Sequence, residues 1–195
     1  MKERLAQLYK NGQEGISPSI SIDGILNAVT NGWITLDDAL EIVGEDASIA
    51  VVRAAKIKEI SKACGALIVN GIDVEFDGEK YHFNLSLEDQ ANINNLFRVV
   101  ELGGTEFPYQ ADDGTCKVYT AKQIAAIYIA AQTLITTQTT YHNALKQYVQ
   151  SLRSVNTISK VTYGMDLPEK YASSVAEKLA IAKEQMDAII ARLGG

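Results

Sequence analysis

The sequence predicts an α+β fold, mostly α, with long heptad helices, two small β-hairpins and an N-terminal helical module. Three observations predict it. From Thr120 to Leu152 there is neither Gly nor Pro, and larger residues recur in alternating steps of four and three. Two other segments carry short extended patterns on either side of a turn signal, at Asp77-Gly78 and around Asp112-Asp113-Gly114. The N-terminal stretch instead shows closely spaced helix caps and Gly stops. The expected division is residues 1–46 for an arm and a small helix-turn-helix, 47–66 for a connecting helix, 67–155 for an α+β domain ending in a long helix, and 156–195 for a C-terminal helix.

Composition sets the outer limits. A chain of 195 residues, 47% hydrophobic and 22% charged, fits a globular protein rather than a disordered one. A formal charge of -6 leaves no basic surplus to neutralise phosphates, so nucleic acid is not expected as a partner. No apolar run is long enough to span a bilayer, and MKERLAQLYKNG places charges where an export signal needs an apolar segment. No membrane association is expected. Cys64 and Cys116 match no metal-ligand spacing, and two reduced, buried thiols are expected.

Met1 to Lys10 predicts a short helix with Leu5, Leu8 and Tyr9 on one side and a stop at Asn11-Gly12. The following GISPSISIDG reads as an extended arm. Ile16, Ile20 and Ile22 are too apolar for a free spacer and are expected to lie on a surface, that of a neighbouring subunit included. Ser21 or Asp23 caps a helix to about Thr30, and Thr35 caps a second one carrying Leu36, Ala39, Leu40 and Val43. Asp37 and Asp38 lie in its first turn, where the helix dipole favours negative charge. Trp33, the single tryptophan, stands at the elbow and is expected to anchor packing there. Acidic residues through Glu45 and Asp46 argue against a DNA-reading motif.

A long helix is expected from Ala47 to Cys64, ending near Gly65, with Ile49, Val52, Arg53, Lys56, Ile57 and Ile60 on a mixed face. Ile72 to Phe76 and Tyr81 to Leu85 read as a hairpin, with His82 facing opposite to Tyr81 and Phe83. Ser86 caps the next helix with Asp89 at the capping-box position, and Leu87, Ala91, Leu96, Val99 and Val100 are its expected core face. Gln90 and Asn92 are expected to satisfy nearby loop backbone. TEFPY and CKVYT form the second hairpin. Its Asp pair lacks the other ligands of a calcium loop and reads as a turn.

Thr120 then caps the long helix with Gln123. Its seam runs through Ile127, Ala131, Leu134, Gln138, Tyr141, Leu145, Tyr148 and Leu152, over roughly 45 Å. Such a length predicts packing on another long helix. Asn156 to Asp166 reads as a loop, and Asp166 with Pro168 opens a last helix carrying Val175, Leu179, Ala182, Met186, Ile189 and Leu193, closed by Gly194-Gly195. The two heptad helices pair as an antiparallel hairpin, or the last one joins copies of itself.

Two stretches resemble known families. NGWITLDDALEIVGED is similar to the short phage tail proteins of the XkdX type, with Val43 where Thr is usual. Glu75 to Leu152 resembles a domain family in tail proteins of phages and prophages of Gram-positive bacteria. The matching residues are Ser86, Leu87, Asp89, Gln90 and Asn92, then Pro108, Tyr109, Ala111 and Asp112, then Thr140 and Tyr141. Gln110 and Thr137 depart from positions where that family carries His, which argues against a His-based site. The resemblance implies a place in a tail, baseplate or fibre apparatus in the virion, after synthesis in the host cytoplasm. It implies no cofactor and no catalytic residues.

The expected function is therefore structural and non-catalytic, acting by protein-protein binding. Expected partners are other tail, baseplate or fibre proteins and further copies of the chain, as a dimer or trimer. The alternative is an assembly chaperone absent from the mature virion. An enzyme is disfavoured because the acid pairs Asp37/Asp38 and Asp112/Asp113 are adjacent in sequence, poorly placed to act across one bond. Candidate interaction anchors are Ile20, Ile22, Trp33, Leu134, Tyr141, Leu145, Tyr148, Leu179 and Met186.

Overall fold

The cap and stop signals are spent on twelve elements in a computed structural model that describes residues 1–44, 49–112 and 114–193. In chain order these are α1 (Lys2–Gln13), α2 (Ile22–Thr30), α3 (Leu36–Val43), α4 (Ile49–Val69), β1 (Ile72–Phe76), β2 (Glu79–Phe83), α5 (Leu87–Glu101), β3 (Glu106–Gln110), β4 (Cys116–Thr120), α6 (Ala121–Ser151), α7 (Val155–Ser159) and α8 (Glu169–Leu193). The fold is α+β and mostly α, with two antiparallel two-stranded sheets, β1-β2 and β3-β4. Glu45, Asp46, Asp113 and the Gly194-Gly195 stop lie outside the described residues. No described helix is long and apolar enough to cross a membrane.

The chain divides into two compact units, each made of two segments. One joins Met1–Ala63 to His142–Pro168, the other Cys64–Tyr141 to Glu169–Gly195. The divisions fall inside α4 and α6, where composition does not change.

In the first unit the caps form as read. Ser21 Oγ accepts from the Gly24 N–H, and Thr35 and Asp38 close a reciprocal capping box. The Lys2 ammonium, 2.9 Å from Asp38, adds to that box. Its hydrogen bond, then that from the Thr35 N–H, holds the Asp38 carboxyl down to about 2. The buried core includes Leu5, Tyr9, Ile25, Leu36, Val52, Ile60, Leu145, Val149 and Ile158. The arm turns back on its own chain. Asn11 Nδ2 donates to the Pro18 carbonyl at 2.9 Å, and the Ile20 N–H donates to the Leu8 carbonyl at 3.1 Å. Trp33 differs from expectation. Its backbone N–H donates to the Ala28 carbonyl, fixing the elbow, but the residue is 59% exposed, and Ile34 and Leu36 are buried instead.

In the second unit α4 runs on past the expected end at Cys64, to Val69. A single Gly65 costs a helix about 1 kcal/mol, too little to stop it. The stop is Gly71, at φ 87, and the Leu85 N–H takes the Val69 carbonyl at 3.1 Å. The β1-β2 turn is Asp77-Gly78, both at positive φ, with Phe76 opposite Glu79. Ser86 and Asp89 cap α5 reciprocally, and Gln90 Nε2 satisfies the Leu85 carbonyl at 2.8 Å. The buried face of α5 is Ile93, Phe97 and Val100, with Leu96 packed beside it; of the predicted face Val100 and Leu96 turn inward, while Leu87 and Val99 are exposed. Leu87, in the first turn, points outward at 85% exposure. The core gathers Phe83, Leu85, Ile93, Phe107, Tyr119, Ile124 and Ile127 from every layer, and Phe97 stacks on Tyr128 with ring centroids 3.9 Å apart.

Thr120 and Gln123 cap α6 as predicted. α8 runs antiparallel to α6: its Ile190 reaches the groove beside Ala121, Ala125 and Ile129 at the start of α6. The stretch read as loop after α6 contains α7, capped by Ser154. Of the two thiols only Cys64 is buried; Cys116, at the start of the edge strand β4, is exposed.

Candidate interaction surfaces

The nine predicted anchors fall on different kinds of surface. Leu145 is fully buried in its own unit and cannot meet another subunit, so that expectation fails: the heptad seam covers itself there. Leu134 is partly buried against the core cluster of the second unit. Tyr141 and Tyr148 are half-buried on α6, Ile20 is half-buried on the turned-back arm, and Ile22 is half-buried at the start of α2. Trp33 is the one predicted anchor that is freely presented.

Leu179 and Met186 line a groove between α8 and the middle of α6, facing Ile129, Thr133 and Thr136. It continues into an open groove of about 800 Å³ floored by Ala121, Ala125, Ala126 and Ala130 of α6. The small side chains keep this face shallow. No described side chain of α8 is fully buried, and Ile181 and Ile190 are about half exposed. The Arg192 guanidinium, 2.6 Å from Glu101, pins the end of this helix to α5.

The first unit carries a different cleft, of about 380 Å³, that sequence reading missed. Its apolar lining is Val29, Ile34, Leu36 and Ala55, its polar lining is Thr30, Thr35, Ser159 and Thr162 with Asp37 and Glu59, and of its three lysines Lys58 and Lys62 are exposed while Lys56 is buried. Lys56 stands in the inward row Val52, Lys56, Ile60 of α4 and is only 3% exposed. Its Nζ lies 2.9 Å from Glu59. The available signal was a lysine inside an apolar row, with Lys58 and Lys62 one turn apart beside it.

Two histidine arrangements were also hidden. His82 Nδ1 lies 2.7 Å from Asp73, and Nε2 3.6 Å from Asp112, which also accepts the Asn84 N–H. The Asp73 hydrogen bond is the main cause raising the His82 pKa. His142 Nε2 lies 2.9 Å from Ser61 Oγ. The Ser61 hydroxyl donates to the Ile57 carbonyl at 2.6 Å, so its proton is spent within the helix and the imidazole must donate to it. That is the reverse of a base activating a nucleophile. Burial, then Lys146, lowers the His142 pKa. Among the described residues no His, Cys, Asp and Glu group could hold a metal ion.

The fold and its surfaces define a mostly α, α+β protein whose exposed features are an apolar groove along a helix pair and a lysine-rimmed cleft. The chain belongs to the DUF4376 family, a domain of unknown function, whose model matches residues 51–164. No curated protein and no solved structure matches it.

Proposed function

We propose that the chain is a non-catalytic structural component of a phage tail, baseplate or tail-fibre attachment apparatus that works by binding other proteins. The observation that carries the reading is α8. Over 25 residues no described side chain of it is fully buried and Ile181 and Ile190 are about half exposed, while the opposing α6 face is a row of alanines along an open groove. An apolar surface of this kind is expensive to leave in water and marks contact with another subunit. The resemblance of residues 75–152 to phage tail proteins supplies the setting. Binding would draw on buried apolar area more than on charge.

The experiment has two readouts. Light scattering of the purified chain should give a dimer or trimer, and mass spectrometry of purified virions should find the chain in the particle. A strict monomer absent from particles and from their assembly intermediates overturns the proposal. A chain found only in the intermediates is an assembly chaperone.

A further inference from the structure

We propose that the lysine-rimmed cleft of the first unit is a binding site for a monocarboxylate bearing an apolar group. The ligand is supplied either as a free aliphatic acid or as the C-terminal residue of a polypeptide. The proposal is independent of any role in a phage particle.

The first argument is Lys56. An ammonium 3% exposed in an apolar row is costly unless its charge and donors are met. Glu59 meets one donor at 2.9 Å, and no other partner of Lys56 exists among the described residues. An ammonium has three donors, so two are left for an acceptor entering the cleft.

The second argument is the balance of charge. Three lysines line the cleft against two carboxylates, Asp37 and Glu59, leaving one positive charge unmatched. A single carboxylate completes that balance, whereas a phosphate dianion overshoots it beside two fixed acids. Lys58 and Lys62 have no ion-pair partner among the described residues. Lys62 Nζ lies 3.4 Å from where a Cβ on Gly32 would be, which places its ammonium beside the elbow that carries Trp33.

The third argument is the apolar floor and size. Val29, Ile34, Leu36 and Ala55 give the ligand an apolar resting place, and about 380 Å³ falls within the range of small-ligand sites, roughly 300–1,000 Å³. Thr35, Leu36 and Asp37, at the start of α3, line the same cleft; the Asp38 N–H is taken by Thr35 Oγ, leaving the Leu36 and Asp37 N–H groups without an intrahelical acceptor.

The test titrates the full chain with hexanoate, hexanol, inorganic phosphate, and a tetrapeptide ending in leucine with a free or an amidated C-terminus. Binding is followed by amide NMR shifts and by fluorescence of Trp33. Saturable shifts of the Lys56, Lys62 and Thr162 amides are expected with hexanoate, with the free-acid peptide, or with both, and this choice identifies the source. Hexanol and the amidated peptide should bind at least about tenfold more weakly. The double variant K58A/K62A, altered at exposed positions and checked for an unchanged melting temperature, should lose about tenfold in affinity for the acid and none for hexanol. Equal affinity for hexanol and hexanoate, tighter binding of phosphate, or no saturable shift with any probe overturns the proposal.

Discussion

Arg53 Nη2 donates to the carbonyl oxygen of Leu152 at 2.7 Å, joining two residues 99 positions apart. Leu152 follows the last residue of α6, a helix of 31 residues with no Gly at its C-terminus. The final carbonyls of a helix lack intrahelical donors and carry the negative end of its dipole, so a half-buried guanidinium satisfies both needs. Arg53→Met keeps the apolar stem and removes the donor and the charge. It should cost about 1.5–3 kcal/mol. Urea unfolding should show a lower midpoint at unchanged slope.

Much of this architecture was legible because it depends on local chemistry. Ser21, Thr35, Ser86 and Thr120 announce their helices through hydroxyls that accept from the residue three positions on. Asp77-Gly78 announces its hairpin through positive φ. The heptad line of α6 correctly marks the inward face through Ile127, Ala131 and Leu145. What was not legible depends on partners distant in sequence. Whether Trp33 or Ile34 turns inward depends on what packs over the elbow. The cleft joins α3 and α4 to Ser159 and Thr162, about a hundred residues later in the chain, and no local pattern links them.

The two glycines of the α4 terminus should respond oppositely to the same change. Gly71 has φ 87, and a Cβ there would stand 2.0 Å from the Phe83 carbonyl oxygen and 2.8 Å from the Asn84 Cα. Backbone cannot retreat as a side chain can, so Gly71→Ala should destabilise by about 3 kcal/mol or more. A Cβ on Gly65 meets nothing within 4 Å in the helix interior. Gly65→Ala should therefore stabilise by about 0.5–1 kcal/mol. Thermal melts of both variants check the contrast.

The thiols should differ in accessibility. Cys64 is 5% exposed, with its sulfur 3.6 Å from the Gln138 carbonyl, while Cys116 is exposed. A thiol reagent added to the native chain should modify Cys116 promptly and Cys64 only on unfolding. Stoichiometry near one per chain without denaturant, with the label mapped by mass spectrometry, is the expected result. Prompt labelling of both would mean that the α4–α6 contact around Cys64 opens readily.

The two histidines should titrate on opposite sides of the ordinary value of 6.5. Hydrogen bonding to Asp73 raises the His82 pKa, with the charge of Asp112 adding to it, while burial lowers that of His142. Because the folded His82 holds its proton more tightly than the unfolded chain does, its contribution to stability is complete below pH 6.5. It is lost as pH rises through the folded value. Asp73 acts from the other side. Hydrogen bonds from Lys80, then His82, depress its pKa, so its contribution is present above 3.8 and lost as pH falls through the folded value. The cluster should therefore stabilise most between about pH 4 and 6.5, with screening by solvent and salt keeping the effect small. His82→Gln keeps a donor toward Asp73 but cannot titrate, so its urea midpoint should fall less than that of the parent chain between pH 6.5 and 8. NMR titration of the two imidazole Hε1 signals provides the direct reading, with His82 above 6.5 and His142 below. Coincident midpoints near 6.5 would mean that the Asp73–His82–Asp112 contacts do not persist in solution.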